Sequence, residues 1–292
     1  MKNLQSLTFG LLCFICTQQG MAQNAYSGVF HSNIDTSILI ENLSWQDFQD
    51  KDKSLASGGF KLTDLEFSSS KEEDKKFHGV WIKDTTSTIS LQVPGLDSLV
   101  QMKRKMVKKG YLMTDIEAWY GEDGREHFVC LWEKKKVWHK VWKMDTWDGV
   151  VKKNMEMVQQ FLYLRDVEAI QTPKDGIKFV AIYHEGDRER KQRAHMFAST
   201  DLEAFNTDQW QRKMSGYHMI DFEIFEIDGK ANYLGIYRKS EAEHVLRQNF
   251  LAEDFKTHLE TLRKNNFRLV DIEIGKGAGR KPVNKETALE QN

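Results

Sequence analysis

Two rhythms of apolar residues follow one another along this chain, and then the pair recurs. From Leu96 through Leu99, Met102 and Met106, apolar side chains fall every three or four residues while lysines fill the opposite side, which predicts an amphipathic helix. After Gly110 the spacing changes to the alternation of a strand, and a second strand rich in aromatic residues comes next. The first strand segment occurs five times: GFKLTDLE at 59–66, GYLMTDIE at 110–117, FLYLRDVE at 161–168, GYHMIDFE at 216–223 and NFRLVDIE at 266–273. Its aspartates, Asp64, Asp115, Asp166, Asp221 and Asp271, stand 51, 51, 55 and 50 residues apart, and a glutamate follows each at the second place. Two acidic columns held through every copy define an internal repeat of about fifty residues.

Further columns turn the repeat into elements. Sixteen residues before each aspartate stands an apolar anchor: Phe48, Leu99, Val150, Phe205 or Phe255. Phe77 to Trp81, Phe128 to Trp132, Phe179 to Tyr183 and Tyr233 to Tyr237 share the pattern aromatic-x-small-aliphatic-aromatic. Gly59, Gly110 and Gly216 are placed to end helices, and Asp123-Gly124, Asp175-Gly176 and Asp228-Gly229 to turn hairpins. Ser44 is expected to cap the first helix, Asp145 the third, and Thr200 with Glu203 the fourth. A short third strand, as at Ile38-Leu39-Ile40 or Lys140-Val141-Trp142, leads to each following helix.

Each unit therefore reads αβββ, and the chain reads as an α+β repeat protein with units near 45–95, 96–144, 145–199, 200–250 and 251–274. The fifth lacks a downstream aromatic strand, but Tyr26-Ser27-Gly28-Val29-Phe30 has the missing pattern. The frame agrees, because Phe30 to Trp45 is 15 residues, as are Trp81 to Leu96 and Trp132 to Trp147. Residues 24–44 are expected to complete the fifth unit and to close the five into a pseudo-fivefold ring. An open, curved half-barrel is the alternative that the order of elements allows.

The two ends read differently. Lys2, the apolar run Leu7 to Ile15 and Gly20-Met21-Ala22 predict a signal peptide over 1–22, followed by one domain over 23–274 and a disordered tail over 275–292. Export to the periplasm, the cell surface or the extracellular medium is the expectation. Cys13 and Cys16 would leave with the signal, so Cys130 would remain without a disulfide partner. Lys+Arg 42 against Asp+Glu 43 speaks against a nucleic-acid partner, and no later run approaches the length of a transmembrane segment.

Taken together, the motif aromatic-x-Leu/Met-x-Asp-aliphatic after a helix, followed by an aromatic-x-small-aliphatic-Trp/Tyr strand, resembles the bacterial tandem structural repeat of polyglycine-hydrolase-like proteins. The resemblance covers nearly all of the chain beyond the signal, and the third unit departs most, with Phe161 and Leu162 in place of Gly and Tyr. It implies a repeat region whose family keeps its chemistry in a separate β-lactamase-like serine domain. That chemistry needs Ser-x-x-Lys at a helix start. Ser68-Ser69-Ser70-Lys71 has the letters but lies in a charged hairpin loop, and no Lys-Thr-Gly is present.

Three sets of residues are candidates for function. The pairs Asp64/Glu66, Asp115/Glu117, Asp166/Glu168, Asp221/Glu223 and Asp271/Glu273 each present two carboxylates on one face of a strand. They could bind a cation or a polyhydroxylated ligand, but a structural role, accepting hydrogen bonds from neighbouring backbone, fits fivefold repetition better. Lys136, Trp138 and Lys140 interleave aromatic and basic groups and are expected to contact a ligand at the surface, whereas Trp142 shares a column with Ile40, Leu91 and Phe197 and is assigned to the core. Arg188, Arg190, Lys191 and Arg193, in the insertion that stretches one separation to 55, form an anion-site candidate.

No catalytic set, metal-ligand spacing or glycine-rich phosphate loop is found, so no cofactor is expected. The reading favours a non-catalytic binding or scaffolding domain for an extracellular glycan, peptide polymer or surface protein. Its alternative is a hydrolase of such a polymer that uses acidic residues.

Overall fold

The computed structural model describes residues 24–68, 75–186 and 194–276. The predicted signal peptide, Arg188, Arg190, Lys191 and Arg193, and the predicted tail apart from Gly275 and Lys276 lie outside the described residues. Those two pair with Ala25 and Asn24 in a sheet and so do not belong to a disordered tail.

The described chain opens with β1 (Asn24–His31). The next elements, β2 (Ser37–Leu43), α1 (Trp45–Ser57), β3 (Phe60–Ser68) and β4 (Lys76–Lys83), set a plan that repeats. It recurs as β5 (Thr88–Pro94), α2 (Leu96–Lys108), β6 (Tyr111–Tyr120) and β7 (Glu126–Lys134), then as β8 (His139–Met144), α3 (Trp147–Gln159), β9 (Leu162–Thr172) and β10 (Gly176–Glu185). A fourth copy comprises β11 (Ala194–Ser199), α4 (Leu202–Met214), β12 (Tyr217–Ile227) and β13 (Lys230–Lys239). The last has β14 (His244–Phe250), α5 (Ala252–Lys264) and β15 (Arg268–Lys276), and it borrows β1. Five separate three-stranded antiparallel sheets result, ordered β2-β4-β3, β5-β7-β6, β8-β10-β9, β11-β13-β12 and β14-β1-β15.

This order corrects the αβββ unit expected from the repeat. The short third strand opens the following sheet instead of finishing the preceding hairpin, so the packed unit is βαββ. The reason lies in the edges of the aromatic strand. β3 occupies one edge of β4 and β2 the other, so β5 has no free edge there and pairs with β7. β2 and β3 both run antiparallel to β4 and hence parallel to each other, which is why a helix must connect them.

β1 takes the place predicted for it beside the last strand. Tyr26 lies opposite Ile274, Gly28 opposite Ile272 and Phe30 opposite Leu269, while β14 holds the other edge. Residues from both ends of the described chain thus share one sheet.

Each helix packs on the outer face of its sheet through its anchor, and Phe48, Leu99, Val150, Phe205 and Phe255 are all buried. The small residue of the aromatic strand explains itself here. Gly79 and Trp81 share the helix-facing side, and the indole lies across the glycine under Phe48, whose ring stands 5.4 Å away. A Cβ on Gly79 would come within 2.5 Å of the Trp81 ring and 2.9 Å of Phe48. Both rings are fully buried and have no room to yield. Gly79→Ala is therefore expected to cost about 1–3 kcal/mol, read as a lowered urea midpoint with an unchanged slope.

Helix ends follow the sequence at most positions. Ser44 caps α1 through Asp47 N, but α3 is capped by Thr146 rather than Asp145, and α4 by Asp201 rather than Thr200. In both cases the helix begins one residue later than read. Gly59, Gly110 and Gly216 adopt φ of 78°, 79° and 77° as the chain leaves each helix, but Phe161 holds that place at φ 60°. A bulky residue is strained in this region by roughly 1 kcal/mol or more. Phe161→Gly is expected to raise the melting temperature, and a fall would show that contacts of the Phe161 ring outweigh its backbone strain.

Candidate functional site

A β-bulge precedes every repeat aspartate. The register slips between Leu62 and Asp64, Met113 and Asp115, and Met219 and Asp221, and at the equivalent points opposite Ile182/Tyr183 and Val29/Phe30. The extra residue lets Leu62 and Leu65 both face the helix, opposite Trp81 and Gly79, while Asp64 and Glu66 turn to the other face, opposite Val80 and His78. The acidic pairs therefore meet on the side of each sheet away from its helix. The five aspartates are each at most 8% exposed.

Their partners belong to the neighbouring unit. Leu65 N donates to Asp115 at 2.8 Å, Ile116 N to Asp166 at 2.7 Å, and Ile272 N in β15 to Asp64 in β3 at 3.0 Å. At Asp221 and Asp271 one carboxyl oxygen has no partner. Histidines reinforce the junctions. His184 Nε2–H donates to the Met113 carbonyl at 2.6 Å, and His31 Nε2–H to the Met219 carbonyl at 2.7 Å.

Carboxyls also lie close to one another: Asp115 to Asp166, Asp221 to Asp271, and Glu273 to both Glu66 and Glu223. Two carboxylates repel, so such proximity is tolerated best when one partner keeps its proton. Burial, reinforced by the neighbouring acids, pushes Asp115 up to about 7. Burial likewise pushes Asp221 up to about 6 and Glu273 up to about 8, although their hydrogen bonds oppose the rise. Asp64, Glu66, Glu117, Asp166, Glu168, Glu223 and Asp271 all stand well above the usual carboxylate range, with burial the largest cause.

One residue departs from the repeat inside this cluster. The position directly before the aspartate holds Thr63, Thr114, Ile220 and Val270 in four units but Arg165 in the third. Its guanidinium is partly buried, donates to the Ile220 carbonyl at 3.4 Å, and favours the charged form of all five aspartates. Arg165 is the single charged residue at this position among the five units. Asp166, Glu168 and Glu223 bring one carboxylate oxygen each within 4.8 Å of one another. Such a set supplies hard oxygen donors, but only about half the number that calcium takes.

Residues 39–84 and 200–240 match the family model described as polyglycine hydrolase-like, structural repeat. The chain carries that repeat. The first matched segment runs from within β2 to just past β4, so it spans one packed βαββ unit. A comparison with curated proteins returns no match.

The remaining candidates lie away from the acidic cluster. Trp138 is 49% exposed just before β8, and Lys140 Nζ lies 5.0 Å from its ring. Trp142, assigned to the core from its column, is 37% exposed instead, with Lys153 Nζ 4.1 Å from its ring. It pairs with Ala181 at an outer sheet edge, where no further strand covers it among the described residues. Cys130 is buried, and burial raises its thiol well above the ordinary range. No described helix is long and apolar enough to cross a membrane.

Proposed function

We propose that this chain is an exported, non-catalytic binding or scaffolding domain whose five units close around a pseudo-fivefold axis. Closure is supported by β1 completing the last sheet and by the Ile272–Asp64 bond, which links the fifth unit to the first as Leu65–Asp115 links the first to the second. The observation that carries the non-catalytic reading is that backbone N–H groups of neighbouring units occupy Asp64, Asp115 and Asp166. A glycosidase needs one distinguished pair of carboxylates facing a substrate cleft with separated roles. Here all ten carboxyls stand together with their pKa values raised by burial, and three of the aspartates tie units to one another, so the ligand surface is sought on the outside.

A glycan and peptide array probed with the protein, followed by product analysis of each hit, tests the reading. A binder should return its ligand intact, and Glu168→Gln and Glu223→Gln should leave the retained amount unchanged. Shortened products that disappear with one of these substitutions, in a variant that still folds, would make the protein a hydrolase.

A further inference from the structure

We propose that the outer face of β8 is the ligand surface and that it takes an anionic polysaccharide; this rests on the binding-domain reading above. β8 is the free edge strand of its sheet. The ladder continues one residue before it, because Glu185 N donates to the Trp138 carbonyl at 2.8 Å. Residues 138, 140 and 142 therefore alternate onto one face, and the two indoles are separated by four residues, about 13 Å of strand. Two platforms that far apart can engage separate rings of a single extended chain.

Three of the other four units build this face differently, and the last places Arg247 at the equivalent point, opposite Gly28. At the Trp142 column Ile40, Leu91 and Phe197 pack half-buried into their own units' cores. The third unit places there an indole that is 37% exposed, with Trp138, 49% exposed, four residues before it. Isolated exposed apolar residues are unremarkable on a surface, but paired aromatics on an edge strand mark a contact site.

Charge selects the ligand. Lys140 sits over Trp138 and donates to Gln160, a neutral partner, with Glu156 of α3 near enough to feel its charge. Lys103 from α2 reaches the same place, near enough for its charge and that of Lys140 to oppose each other. Lys136 runs past Gly110 at the end of α2, and Lys153 covers Trp142 from α3. The result is a strip in which each aromatic face has an ammonium beside it, the one at Trp142 also paired with Glu156 at 2.6 Å. A sugar ring offers an apolar face for the indole, and a uronate carboxylate or sulfate offers a partner for the lysine. An acidic peptide supplies the charge without rings to occupy both platforms.

The test titrates the protein with polygalacturonate, with an uncharged glucan of similar length and with polyglutamate, reading tryptophan fluorescence and heat at low and high salt. Binding to polygalacturonate that weakens with salt, and none to the uncharged glucan, is expected. Trp138→Ala and Trp142→Ala should each weaken it by about tenfold, and Lys140→Gln and Lys103→Gln should flatten its salt dependence. Trp138 lies outside the strand, and an unchanged thermal transition of its variant separates lost contact from lost fold. If polygalacturonate binds and none of the four variants changes it, this surface is wrong while the binding-domain reading stands. Equal or tighter binding of polyglutamate overturns the polysaccharide assignment. No binding of any probe here, joined to an array without hits, removes both.

Discussion

Arg165→Met should cost the protein about 3–5 kcal/mol at pH 7.5, the usual penalty for removing one partner from a buried charge group. Methionine approximates the length of the arginine stem, so little of the loss comes from packing. The loss comes from the five aspartates, whose ionised forms the guanidinium favours. Without it they can remain buried only by holding more protons. The variant should therefore recover much of its stability at pH 5.5, where protons are abundant. Urea unfolding at both pH values measures this, with the wild type alongside. An equal deficit at the two pH values would mean that Arg165 acts by packing and not as a counter-charge.

How much of this was legible beforehand depends on what a linear pattern can encode. A period of two places residues i and i+2 on one face, so the shared face of Asp64 and Glu66 followed from spacing alone. So did the partnership of Tyr26–Phe30 with the last strand, because the frame of 15 residues repeated. Sheet membership did not follow. Alternation in Ile38-Leu39-Ile40 says that a strand is half-buried, not which edge it will meet, and the competition of β2 and β3 for the edges of β4 is a property of the packed unit. The bulges were hidden for a similar reason: an extra residue shows only against its partner strand, as Thr63 does beside Val80. Trp142 was misread because a column was equated with burial, although repeats share backbone positions and not exposures. Arg165 was written plainly in the third copy and needed only a comparison of the column before the aspartate.

The acidic cluster and the buried histidines together should give the wild type a stability maximum near pH 6–6.5, with losses on both sides. On the alkaline side, carboxyls whose native pKa lies above the unfolded value of about 4 stabilise the fold while protonated in it. That contribution is whole below the unfolded value and fades as pH rises through the native ones, about 6 for Asp221, 7 for Asp115 and 8 for Glu273. Each unit of displacement is worth about 1.4 kcal/mol, so the fall between pH 6.5 and 8.5 is on the order of 3–5 kcal/mol. On the acid side, burial lowers His78 and His139 to about 4 and His244 to about 3. These rings are kept neutral in the fold, and their contribution is present above the unfolded value of about 6.5 and lost as pH falls through 4. Glu273→Gln should flatten the alkaline limb and leave the acid limb in place, while His244→Asn should do the reverse. Urea midpoints from pH 4 to 9 measure both limbs. A wild type that becomes steadily more stable from pH 6.5 to 8.5 would show that the cluster is ionised and neutralised by something other than protons, and the oxygen set of Asp166, Glu168 and Glu223 would then be the place to look for a bound cation.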